Sequence, residues 1–105
     1  MLVPFSNLGL EGARIVRVIE QVEAHRIAFD VSYPMREGSS NFPQRRFIFQ
    51  RCRRYLIEER DDAAEPVILR VEISEMDQHT VKIRMHTDLG VRELTCSSSV
   101  LEESG

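Results

Sequence analysis

Gln44-Arg45-Arg46-Phe47-Ile48-Phe49-Gln50-Arg51-Cys52-Arg53-Arg54-Tyr55-Leu56-Ile57-Glu58-Glu59-Arg60 admits two readings, and the choice between them decides the fold. As a helix, Ile48, Cys52, Tyr55, Leu56 and Glu59 recur at helical spacing, with Asn41 available as an N-cap. As a strand, Phe47, Phe49, Arg51, Arg53, Tyr55 and Ile57 line one face. Neither face is clean. The density of aromatic and β-branched residues favours the strand, because such side chains fit a pleated surface better than a helical turn. A bulge or short turn near residues 50–54 would separate Phe47-Ile48-Phe49 from Tyr55-Leu56-Ile57.

The segment before it poses the same question. Ile15, Val16, Ile19 and Val22 would share one side of a helix, yet Val16, Val18 and Val22 share a strand face. Gly9 and Gly12 offer no strong N-cap. Past Glu23-Ala24-His25, Ile27, Phe29, Val31 and Tyr33 alternate with Ala28, Asp30 and Ser32 up to Pro34. Residues 13–22 and 26–33 therefore read as an antiparallel hairpin. Residues 35–41 contain Gly38, Ser39 and Ser40 between two prolines and read as a surface loop.

The segment after it is unambiguous. Val67, Leu69, Val71 and Ile73 alternate with Ile68, Arg70, Glu72 and Ser74. A turn at Asp77-Gln78-His79 leads to Val81, Ile83 and Met85, alternating with Lys82, Arg84 and His86. A Gly-containing turn at Asp88-Leu89-Gly90 leads to Val91, Glu93, Thr95 and Ser97, alternating with Arg92, Leu94 and Cys96. Val100-Leu101 extends this last strand. The sum is an all-β chain of about six antiparallel strands, a small β-sandwich or a partly open β-barrel. Residues 1–105 form a single domain, with 1–12 as a lead-in and 102–105 as a frayed tail.

Composition agrees. The chain has 105 residues, 42% hydrophobic and 30% charged, which is a globular balance. Trp is absent, so the core rests on Val, Ile, Leu and five Phe. No run approaches the roughly 18 apolar residues of a membrane helix, so no membrane partner is expected. Met1-Leu2-Val3-Pro4-Phe5 is apolar, but Pro4 and Asn7 interrupt it and no basic stretch precedes it, so no signal peptide is expected. Cys52 and Cys96 then read as reduced, buried thiols of a cytoplasmic protein.

The chemistry-bearing motifs are missing. Gly9 and Gly12 precede no helix, so no phosphate loop is expected. The two cysteines are too far apart in sequence for a Cys-x-x-Cys zinc site, and there is no Gly-x-Ser-x-Gly elbow. No metal, cofactor or catalytic residue is expected. His25 and His79 fall in turns; His86 lies near a strand end, where it would have to meet Cys52 or Cys96 to make a nucleophilic pair.

What stands out is electrostatic. The net charge is -3, yet Arg45, Arg46, Arg51, Arg53 and Arg54 fall in one stretch with no acid among them. Glu58, Glu59, Asp61, Asp62 and Glu65 follow almost at once. The acidic average argues against a nucleic-acid binder, which needs a basic surplus. An extended strand would set Arg51 and Arg53 beside Phe49 and Tyr55, an Arg-and-aromatic face suited to an acidic protein surface. The candidate contact residues are Arg51, Arg53 and Tyr55, with Arg45 and Arg46 as rim charges. Strand edges also favour a homodimer. Phe47 and Phe49 beside Arg51 and Arg53 leave a small-ligand-binding barrel as an alternative. An enzyme using Cys52 or Cys96 with a histidine is a third reading.

Four stretches resemble a loose class of small bacterial β-sheet proteins. They are Leu10-Glu11-Gly12-Ala13-Arg14-Ile15, Phe49 to Ile57 with Cys52 and Tyr55, Val67-Ile68-Leu69, and Thr87-Asp88-Leu89-Gly90-Val91-Arg92-Glu93-Leu94. Some members of that class are similar to immunity proteins of bacterial toxin systems, which act by binding one partner. The resemblance implies a protein-binding role and carries over no catalytic residue.

Overall fold

Both ambiguous segments are extended in the computed structural model, which describes residues 8–33, 44–60 and 65–103. Among these described residues eight strands follow one another: β1 (Arg14–Gln21), β2 (Arg26–Ser32), β3 (Gln44–Gln50), β4 (Arg54–Glu59), β5 (Ile68–Glu75), β6 (Val81–Thr87), β7 (Gly90–Cys96) and β8 (Ser98–Glu103). They form two antiparallel four-stranded sheets, ordered β1-β2-β3-β8 and β4-β7-β6-β5. The sheets do not close into a barrel, so of the two expected architectures the sandwich is the one observed. No helix of the described residues is long and apolar enough to cross a membrane. Asn41 and the loop expected over 35–41, much of the lead-in, and Asp61 and Asp62 of the acidic run lie outside the described residues.

Eight strands replace the expected six because two long strands each change sheets. Arg51 takes a left-handed φ of 57°, which reverses the pleat and separates β3 from β4. A bend at Ser97 separates β7 from β8. The two breaks face each other: Ser97 N–H donates to Gln50 O at 3.0 Å and Arg53 N–H to Thr95 O at 2.9 Å. Thus β3 and β8 pair in the first sheet while β4 and β7 pair in the second.

A second junction lies across the molecule. Arg14 bridges Val67, Ile68 N–H donates to Ala13 O at 2.8 Å, and Ile15 N–H donates to Pro66 O at 2.8 Å. Both strands that meet here are bulged, β1 between Ile15 and Arg17, β5 between Ile68 and Arg70. The bulges shift the side-chain phase. This corrects the simple alternation: Ile15 and Ile68 are buried, while Val16 is 46% and Leu69 60% exposed.

Between the sheets lie Phe29, Phe47, Phe49, Ile83, Met85 and Leu94, all fully buried. The Phe29 ring meets Phe49 edge-on at 5.4 Å and Tyr55 at 5.6 Å, a geometry that adds to the burial of each ring. Phe5 and Phe42 lie outside the described residues. Gly90 is required by close approach: a Cβ there would stand 1.9 Å from the Glu58 carbonyl oxygen.

Candidate functional site

The sheet switch at Arg51 disperses the arginine strip. Arg45 keeps the core-facing phase of β3 but stands at its start, half-buried, with its guanidinium 5.4 Å from the centre of the Tyr33 ring. Arg46 points to the opposite face. Its Nε and Nη2 donate to the two carboxylate oxygens of Asp30 at 2.6 and 3.1 Å, and Arg17 adds a looser contact at 3.4 Å. The Arg46 hydrogen bond holds the Asp30 carboxyl below its ordinary range. Register also sets Arg45 and Arg46 opposite Glu103 and Glu102 of β8. These two arginines are therefore anchored in the first sheet.

Arg51 and Arg53 lie at the sheet switch and are exposed. Arg51 borders a surface recess of about 360 Å³ with Glu75, Asp77, His79 and Ser97. The His79 amide, which donates to Asp77 Oδ1 at 2.8 Å, holds the Asp77 carboxyl down, with a smaller contribution from the Arg53 charge. Arg54 is exposed at the start of β4. The expected sharing of one face by Phe49, Arg51, Arg53 and Tyr55 is not what the backbone delivers. Phe49 and Tyr55 both face the core, and the left-handed turn at Arg51 directs the arginines between them outward.

Tyr55 is engaged in a network the sequence reading missed. Its hydroxyl accepts a hydrogen bond from Arg92 Nη1 at 2.9 Å. Arg92 also donates from Nε and Nη2 to the two Glu59 oxygens, at 2.9 and 2.7 Å. Thr87 Oγ1 donates to Glu59 Oε2 at 3.2 Å and accepts from the Leu89 and Gly90 amides. The Glu59 side chain is 4% exposed and that of Arg92 12%. Burial pushes the Tyr55 hydroxyl up to about 12, and the adjoining Arg92 charge opposes that rise. Removing either ion of such a pair strands the other, a cost of about 3–5 kcal/mol. The clue was in the alternation: Glu59 shares the phase of Tyr55 and Ile57, and Arg92 that of Leu94 and Cys96. Two strands of one sheet each carry an inward charge of opposite sign.

Cys52 and Cys96 meet at the sheet switch, both free and buried. Cys52 Sγ donates to Phe49 O at 3.2 Å. The hydrogen bond between the thiols, together with burial, pushes the Cys96 thiol far up. His86 lies on the outer face of its sheet, with Nε2 2.7 Å from Glu72 Oε1. Among the described residues no histidine ring is hydrogen-bonded to either thiol, and no cluster of three or more His, Cys, Asp or Glu is placed to hold a metal ion. His25 approaches Cys52 through its backbone alone, accepting the Cys52 amide at 2.7 Å.

Among the described residues β4 is an edge strand of the second sheet, and its register with β7 is unbroken. Leu56 and Ile57 are each 49% exposed there. They follow Arg51, Arg53 and Arg54 in the chain, with the inward Tyr55 between. No protein-family model, curated protein or solved structure matches the chain.

Proposed function

We propose that the chain is a non-catalytic interaction module that binds a protein through the segment from Arg51 to Glu58. One observation carries this reading: three exposed arginines precede two half-exposed aliphatic side chains, with the inward Tyr55 between them, on a strand that is a sheet edge among the described residues. Open edges with apolar side chains are templates for strand addition, in which backbone bonds supply affinity and side chains supply selectivity. Arginine is favoured among residues that carry binding energy. The segment changes sign along its length, from Arg53 and Arg54 to Glu58, which suits a mixed protein surface better than a phosphate backbone. Arg45 and Arg46, tied to Tyr33 and Asp30, act as a rim rather than as contacts. The four stretches that resemble small bacterial β-sheet proteins, some of them similar to immunity proteins, support the same reading.

Affinity capture with the parent and with an Arg51→Glu/Arg53→Glu variant tests it. The expected result is a protein retained by the parent and lost by the variant, with the thermal midpoint of the variant unchanged. Equal retention by both would remove the segment from the binding site.

A further inference from the structure

The backbone of β4 specifies its partner more closely than exposure does. Arg60 N–H donates to Leu89 O at 3.0 Å, and this pair continues the register of Glu59 with Gly90. Bonded and non-bonded pairs alternate along an antiparallel ladder. Counting back by two, Glu58, Leu56 and Arg54 direct their amides and carbonyls to β7. Tyr55 and Ile57 direct theirs outward, where β4 has no neighbouring strand among the described residues. The side chains of Arg54, Leu56 and Glu58 share the outer face, and those of Tyr55 and Ile57 the inner one.

We propose that β4 pairs antiparallel with β4 of a second copy of this chain, about a twofold axis through Leu56. This inference rests on the protein-binding reading and names the partner. The register follows from three conditions. An outward-bonding residue must face another, which excludes an axis midway between two residues. An axis through Ile57 would set Arg54 against Arg60 of the second copy and Leu56 against Glu58. An axis through Tyr55 would set Arg54 against Leu56 and give Glu58 no cation. The axis through Leu56 sets Arg54 against Glu58 twice, Leu56 against itself, and Tyr55 against Ile57. It forms four backbone hydrogen bonds between the Tyr55 and Ile57 positions.

Charge complementarity is what selects a second copy. The strand is basic at one end and acidic at the other, so its antiparallel complement is itself. Among the described residues neither Arg54 nor Glu58 makes an ion pair. On the β1 and β5 edges, by contrast, Arg17 contacts Asp30 and Arg70 contacts Glu72. Both of those strands are bulged, a device that blunts edge pairing.

Sedimentation equilibrium over a micromolar-to-millimolar series tests the proposal, with Arg54→Glu, Glu58→Arg and the double variant beside the parent. The parent is expected to dimerise. Each single variant places like charges opposite one another and should raise the dissociation constant about tenfold. The double variant restores opposite charges and should return to the parental constant. Hydrogen exchange on the parent should slow with concentration at the Tyr55 and Ile57 amides. A parent that stays monomeric throughout overturns the proposal. So do single variants with the parental constant, a double variant as weak as the singles, or concentration-dependent protection confined to β5. A monomeric parent that still loses a captured protein on Arg51→Glu/Arg53→Glu would sink the second copy and leave the protein-binding reading standing.

Discussion

Tyr55 shows how one side chain can belong to a core and to a polar network at once. Its ring packs edge-on against Phe29, and its hydroxyl accepts from Arg92. Burial raises the hydroxyl from an ordinary value of 10 to about 12. Tyr33, the other tyrosine, is also raised, chiefly by burial, while its hydroxyl donates to Gly9 O at 2.8 Å. The consequence for stability has a definite sign. The unfolded chain releases the phenolic proton first as the solution becomes alkaline. The stabilisation from a neutral Tyr55 is therefore complete below pH 10 and is lost as the pH rises through about 12. Ultraviolet absorbance should show no tyrosine ionising at the free value in the native protein. Urea unfolding across this window should show a fall in stability that Tyr55→Phe makes shallower. An unchanged slope in Tyr55→Phe would refute the assignment. Glu59 and Arg92 escaped the sequence reading for a physical reason. Charges are expected outside, and only their phase along the strand marks these two as inward.

At the scale of elements, the two bends matter more than any strand. Arg51 holds a left-handed φ of 57° while exposed, a conformation that costs an L-residue about 1–2 kcal/mol. Nothing about an arginine announces that conformation, and glycine is the usual occupant. Arg51→Gly should therefore be at least as stable as the parent. Arg51→Val should lose about 1–2 kcal/mol, because a β-branched side chain tolerates positive φ worst. Denaturant midpoints would settle both, and a valine variant as stable as the parent would refute the strain. A break near residues 50–54 was legible as a bulge or short turn separating Phe47-Ile48-Phe49 from Tyr55-Leu56-Ile57, whereas its consequence, that Arg51 and Arg53 leave the face of Phe49 and Tyr55, was not. β2 and the meander of β5, β6 and β7 were legible from period-two alternation, and β1 from its β-branched residues and the lack of a helix cap. The bulges at Val16 and Leu69 were not. A bulge inserts one residue without altering composition, so Leu69 reads as inward from its neighbours while the structure leaves it 60% exposed. The arginine strip was legible as charge. Its dispersal over two sheets was not, because that depends on a backbone reversal at one residue.

At the scale of the molecule, two continuous strands run through both sheets and cross over at one place. The first sheet is completed by β3 and β8, the second by β4 and β7, and the links between them are the short turns at Arg51-Cys52-Arg53 and at Ser97. Neither sheet can lose its partner without exposing Phe29, Phe47, Phe49, Ile83 and Leu94, which form one buried cluster. The opposite junction, from Gly12 to Ile15 against Pro66 to Ile68, fastens the remaining pair of strands. Two sheets that share strands and a core should unfold as one unit, the two-state behaviour usual for a chain of this size. The thiols provide a local probe of this. Cys52 and Cys96 lie in the crossover and are buried, so their reaction with a thiol reagent reports the opening of that place alone. Far-ultraviolet circular dichroism reports the strands of both sheets together. The expected outcome is a single denaturant midpoint common to thiol reactivity and circular dichroism. Thiols that react at a lower midpoint would mean that the crossover opens while the sheets persist, and the two sheets would then be separable rather than one cooperative fold.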